Sequence, residues 1–278
     1  MIVAVIRPLL SRRLTLKPID SFDAAIERAA HLIQLYDLLH DSRSRAVRSD
    51  WATSFKAFMR WPAGEEIVRV DGKDRNSMLI MREAVDVDRE YFAHDLVSEL
   101  LRASVVASVS ALDRYMHDLV LHHCWKLLSR ADKDIPNELK KLTVSITATK
   151  QALKKLRADP KARPGHIIKK SIQERLHRDF TFQKPDDILK ASRMLGVTDF
   201  WNSVAAEMDG EPAKKDVIDT LRTIAKRRNQ IVHEADLIRK TKAKEITLRD
   251  ISRTEAEEWI DWMEDFVASI DIVVDRTV

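Results

Sequence analysis

A single cysteine, Cys124, among 278 residues excludes an internal disulfide and any metal site built on several cysteines. It reads as a small packed hydrophobe, and its isolation suits a reducing compartment such as the cytoplasm. Glycine and proline are also scarce, at five and eight residues. No glycine-rich loop is present to cradle a nucleotide phosphate, and no Gly-x-Ser-x-Gly turn to present a nucleophilic serine. A His-Glu-x-x-His pair for zinc is missing, and His122, His123 and Cys124 are consecutive, so on a helix they point in different directions. No apolar run reaches the roughly 18 to 20 residues that cross a bilayer. Met1 to Ile6 is apolar but is broken by Arg7 and Pro8, has no basic stretch before it and no small-residue cleavage site after it, and does not read as a signal peptide.

What is plentiful is Leu, Ala, Lys, Arg, Glu and Asp, the composition of a mainly α-helical protein large enough to bury an adequate core. A net charge of +4 and a pI near 9.1 permit a nucleic-acid partner without requiring one. The charge is unevenly spread. Between positions 138 and 180 basic residues far outnumber acids, and Lys150, Lys154, Lys155, Arg157, Lys169 and Lys170 are the candidate RNA contacts there, although charge runs are usually solvated faces. The last helical segment, with Glu255, Glu257, Glu258, Asp261, Glu264 and Asp265, is acidic.

Apolar periodicity predicts a helix from Ser21 to about Ala46, with Asp20 or Ser21 as its cap, and a shorter one from Trp51 to Trp61. Glu65 to Val70 is the best strand candidate, closed by Asp71-Gly72, with Met1–Ile6 and Leu14–Leu16 as possible partners in a small sheet. A composition shift near Gly72 to Asp88 divides the chain into residues 1–85, mixed and of unassigned role, and a helical domain over 86–278. Tyr91 to about Leu128 is a long helix whose small residues Ser104, Ser108 and Ala111 invite another helix to lie close. Pro185 to Leu195 is a helix ended by Gly196, Asp199 caps another, and Ser252-Arg253-Thr254-Glu255 has capping-box spacing ahead of the last one.

The helical pattern from about Asp216 to Arg239 carries the chemistry. Projected at about 100° per residue, Val217, Leu221, Ile224, Ile231, Ala235 and Ile238 make an apolar stripe, and Arg228 falls near its middle. A buried unpaired cation costs several kcal/mol, so Arg228 must meet an anion, a polar partner or a wet crevice. Asn229 and His233, four apart, flank the stripe within reach of the long arginine. Arg227 has an allowed spacing from His233 as well. Arg228 is preferred because Asn follows it and because Arg227 projects away from the stripe's centre and from His233.

Arg228-Asn229-Gln230-Ile231-Val232-His233 resembles the Arg-x(4–6)-His motif of the HEPN superfamily of helical bundles. Val105 to Tyr115 is similar to the first helix of its RiboL-PSP-HEPN branch, and Asp199-Phe200-Trp201 with the motif helix to that branch's second half. The resemblance covers roughly Asp86 to the C-terminus. It implies a helical bundle of HEPN type; residues 1–85 lie outside it, an N-terminal appendage whose strand candidates suggest a small β element. It further implies a homodimeric endoribonuclease of toxin or anti-phage defence type, using neither metal nor cofactor and leaving a 2′,3′-cyclic phosphate, with an antitoxin or defence-system protein as a further partner. Within that scheme His233 moves protons, Arg228 holds phosphate oxygens and Asn229 orients either. Asp113 and His117, four apart on the long helix, are candidates for a second polar shell. Relatives that accept nucleotide modification carry tyrosines just after the motif, where this chain has Glu234-Ala235-Asp236. The competing reading is a non-catalytic RNA-binding or protein-interaction module, in which the arginine pairs with an acid of a neighbouring helix.

Overall fold

The first helix opens before the expected Asp20 or Ser21 cap, and Asp20 sits at its third position. The Asp20 carboxylate accepts the Lys17 backbone N–H at 2.8 Å while Pro18 supplies a preset φ, so α1 runs Pro18–Leu39 with Lys17 at the cap position. The computed structural model describes residues 17–73, 77–82, 94–159, 164–238 and 247–278. The strand pairings suggested for Met1–Ile6 and Leu14–Leu16 lie outside those residues. The helix stops well before Ala46, because Asp41 takes a left-handed φ of 54° and the chain turns into strand β1, Arg43–Arg45. After α2, Ser49–Met59, come β2, Ile67–Asp71, and β3, Met78–Arg82. The sheet is antiparallel in the order β1-β2-β3, with Ser44 opposite Val70 and Arg69 opposite Ile80. Both β1 and β3 went unseen in the sequence: each is short, and β1 reads Arg-Ser-Arg with all three residues exposed.

Short α3, His94–Val97, leads into α4, Glu99–Leu128, the axis of the bundle. Leu101, Val105, Leu112, Tyr115, Met116, Leu119 and Val120 are at most 1% exposed on it. A helix buried on nearly all sides needs several neighbours, and α4 has them: α1, α7 (Gly165–Asp179), α8 (Pro185–Leu195), α10 (Lys214–Glu234) and α11 (Arg253–Thr277) all pack on it. The remaining helices are α5 (Asn137–Lys140), α6 (Ile146–Ala158), which packs on α7, and α9 (Phe200–Glu207), which packs on α11 and α10. Phe22 of α1 meets Tyr115 edge-on at 5.9 Å, and the Tyr115 hydroxyl donates to Asp271 of α11 at 3.0 Å. That contact buries the far end of α1 in the same core as the downstream helices.

Helix ends follow the sequence signals where a special residue stands there. Gly196 ends α8 at φ 78°, where a Cβ would lie 3.1 Å from Pro136. The Ser252 hydroxyl accepts the Glu255 N–H at 3.0 Å to open α11. Among the described residues no helix is long and apolar enough to cross a membrane.

Candidate functional site

Helix α10 buries Val217, Leu221, Ile224 and Ala225 and packs on α4, so the stripe holds over its first half. Beyond that, Ile231 is half-buried, Ala235 is exposed and Ile238 lies past the helix end. The helix ends earlier than its periodicity suggests. Ala235 and Asp236 both take left-handed φ, 49° and 56°, and the Asp236 N–H closes on the Gln230 carbonyl at 3.0 Å. Two consecutive non-glycine residues in that region cost roughly 1 kcal/mol or more apiece. The strain has a visible outcome: it turns the Asp236 side chain back into the protein, 1% exposed, between two guanidinium groups.

Those groups are Arg102 of α4 and Arg227 of α10, 4% and 8% exposed. Arg102 Nε donates to Asp236 Oδ2 at 2.6 Å. Arg227 grips the same carboxylate with both terminal nitrogens and donates to the Asp250 carbonyl at 2.9 Å. Arg102 uses its remaining nitrogens on the Arg249 carbonyl at 2.8 Å, and on the Ser98 hydroxyl and the Glu99 carboxylate at 3.0 Å each. A buried carboxylate with two bidentate-capable cations and carbonyl acceptors satisfies nearly every polar atom it brings inside. Arg227, expected only to point away from the stripe's centre and from His233, is thus a buried member of an ionic network. It lies off the stripe's centre, but its guanidinium is buried against the Asp236 carboxylate and the Asp250 carbonyl. Arg102 and Asp236 escaped sequence reasoning because no local spacing connects positions 102 and 236.

Arg228 stands apart from this network. It is half-buried, Nη1 donates to Asn229 Oδ1 at 3.1 Å, and its buried Nε has no hydrogen-bond partner. Among the described residues it forms no ion pair. The acid pairing expected of a structural arginine falls on Arg227, while Arg228 keeps most of its donor capacity free. Asn229 is half-buried and His233, in the last turn, is exposed. The structure thus joins Arg228 to Asn229, and no hydrogen bond brings His233 to either. Between Arg228 and His233 lie five residue steps, about 140° around the helix.

Asp113 and His117 face another way. Asp113 accepts the backbone N–H of Phe182 and, at 3.2 Å, the Gln183 amide. His117 is buried, stacks on His177 of α7 at 4.6 Å and tilts against Phe182 at 4.6 Å. Burial lowers its pKa below the ordinary value, helped by His177 and opposed by Asp113. The pair thus holds the approach to α8, whose first residues border the motif helix, and makes no hydrogen bond to the motif.

The basic residues chosen in the sequence are all exposed: Lys150, Lys154, Lys155 and Arg157 on α6, Lys169 and Lys170 on α7. Ala148 and Ala152 form the buried side of α6, and Lys170 approaches Glu174 at 4.0 Å.

Between the start of α8 and α10 lies a cleft of about 390 Å³. Asn229, Lys184, Pro185, Asp186, Arg222, Ala225, Lys226, Gln230 and Glu234 line it. On α10 these positions recur every three or four residues and share a face that continues toward His233.

This helical architecture is that of a HEPN bundle. The chain belongs to the RiboL-PSP-HEPN family, whose profile matches residues 82–276. No curated protein and no solved structure matches it. Membership points to an RNA-related role.

Proposed function

We propose that the protein is a metal-independent endoribonuclease of toxin or defence type, with Arg228, Asn229 and His233 as its catalytic residues. The observation that carries this reading is Arg228, a half-buried cation tied only to Asn229 and without a carboxylate partner among the described residues. A guanidinium kept that way is poised for an anion that is not part of the chain. In the reaction the 2′-oxygen attacks the adjacent phosphorus and gives its proton to a neutral imidazole. The P–O5′ bond breaks as the 5′-oxygen takes a proton from an imidazolium, and a 2′,3′-cyclic phosphate remains. The guanidinium holds the phosphoryl oxygens as negative charge builds on them.

The roughly 140° between Arg228 and His233 supports a homodimer. Two motif helices meeting across a two-fold axis would bring the arginine of one copy and the histidine of the other to a single phosphate. The exposed lysines of α6 and α7 serve this reading as a long-range field for RNA. A cytoplasmic setting and an antitoxin or defence partner belong to the same proposal.

The test is incubation of the purified chain with single-stranded RNA in excess EDTA. Cleavage with 2′,3′-cyclic ends is expected, and dependence on added Mg²⁺ or Mn²⁺ would overturn the mechanism. RNA binding without cleavage would make the protein a non-catalytic RNA-binding module.

A further inference from the structure

The geometry points to the cleft between α8 and α10 as the subsite that holds the RNA nucleotide beside the scissile phosphate. The inference rests on the ribonuclease reading for its placement. Its volume of about 390 Å³ lies within the roughly 300–1,000 Å³ of small-molecule sites, enough for a nucleotide and too small for a folded partner.

Charge runs along the cleft in a definite order. Arg222 and Lys226 stand one turn apart at one end, with Gln230 and Glu234 one and two turns further along α10. Lys184 enters from the α8 side. Among the described residues neither Lys184 nor Lys226 forms an ion pair, whereas Arg222 is held by Asp219. Asp186 beside Lys184 also lines the cavity, but the two ammonium groups and the Arg222 guanidinium outnumber the Asp186 and Glu234 carboxylates, which favours a phosphate at the Lys226 end. Glu234, itself bound to Arg249 at 3.4 Å, would repel a phosphate and accept from a hydroxyl or an exocyclic amine, and the Gln230 amide can do either. Pro185 and Ala225, both buried, floor the space between these ends with apolar surface. No aromatic ring lines the cleft among the described residues, so a base is held by its edge rather than by stacking.

Asn229 connects the cleft to the motif. It lines the cavity and accepts from Arg228, so one side chain ties the Arg228 guanidinium to the edge of the cleft. The α6 lysines contribute a field but no cavity, and on this assignment they are not where the strand is gripped.

Binding is tested apart from cleavage, in the full chain carrying His233→Ala, by fluorescence anisotropy of a labelled single-stranded RNA oligonucleotide over a range of salt concentrations. Lys184→Gln and Lys226→Gln should each weaken binding several-fold and take about 0.7 off the log–log salt slope, the amount of one lost single-strand phosphate contact. Both lysines are exposed, so melting temperatures should be unchanged. Parental affinity and slope in both variants would overturn the subsite, as would a loss confined to a Lys154→Gln/Lys155→Gln control. Equal competition by a polyglutamate peptide would reduce the cleft to a generic anion site and overturn it too. Cleft-dependent binding by a wild-type chain that never cuts RNA keeps the subsite and sinks the ribonuclease reading. Cleavage by a wild-type chain whose cleft variants bind normally does the reverse.

Discussion

Truncating Arg227 would leave Asp236, 1% exposed, facing a single guanidinium and would strand the Asp250 carbonyl. Removing one member of a buried ionic group costs about 3–5 kcal/mol, so Arg227→Ala should lower the urea midpoint severely. Arg228→Ala, one position on, removes a cation with one neutral partner and a stranded Nε. Its stability should move by about 1 kcal/mol or less in either direction, while RNA cleavage disappears. His233→Ala should behave likewise, because an exposed residue makes few core contacts. If Arg228→Ala unfolds and Arg227→Ala does not, the roles of the two arginines have been inverted. Among the histidines, burial next to His122 holds His123 down to about 4, against an ordinary 6.5. Between those values the unfolded chain takes up the proton first, so stability is intact above pH 6.5 and falls as pH drops toward 4. His123→Gln should flatten the melting temperature over that window. The part that remains comes in part from His117, whose pKa is lowered in the same direction.

Among the elements, α10 illustrates what a sequence discloses and what it withholds. Its apolar stripe was legible because Val217, Leu221 and Ile224 repeat with the helical period, and its partner α4 because that run is long and apolar. Its end was not, since Ala235 and Asp236 are unremarkable residues for continuing a helix. Only a carboxylate drawn to two distant arginines explains the left-handed turn. The same limit hid the burial of Arg227 and the orientation of Asp113 toward Phe182. Helix ends marked by glycine, proline or a serine cap lie where the sequence places them, at Gly196, Pro185 and Ser252. Ala235→Gly tests the strain at the turn: relief of the left-handed penalty should raise stability by roughly 0.5–1 kcal/mol in chemical denaturation, with RNA binding unchanged. A destabilised Ala235→Gly protein would mean that the turn is not strained.

For the whole molecule, the family match begins at residue 82, yet α1 lies before it and fills the core. Phe22, Ile26, Ala29, Ile33 and Tyr36 are all at most 6% exposed against α4 and α11. At about 1.5–3 kcal/mol for each large apolar side chain, that burial is comparable to the entire stability of a typical domain. A fragment spanning residues 82–276 should consequently lack a cooperative melting transition, and a sharp one would show that α1 is an accessory. In solution the intact chain should have a light-scattering mass near twice 32.0 kDa. A monomer that still cuts RNA would defeat the shared site.

The Arg102–Asp236 contact also spans 134 positions of chain, and Arg102 reaches the Arg249 carbonyl across 147. Such long loops must close before the last turn of α10 gains its anchor, so this turn belongs to the late, high-contact-order part of folding. Once closed, its amides should exchange with solvent deuterium only through near-global opening, unlike an ordinary frayed helix end. The rim of the motif, in solvent at His233, would then be among the most slowly exchanging backbone in the protein.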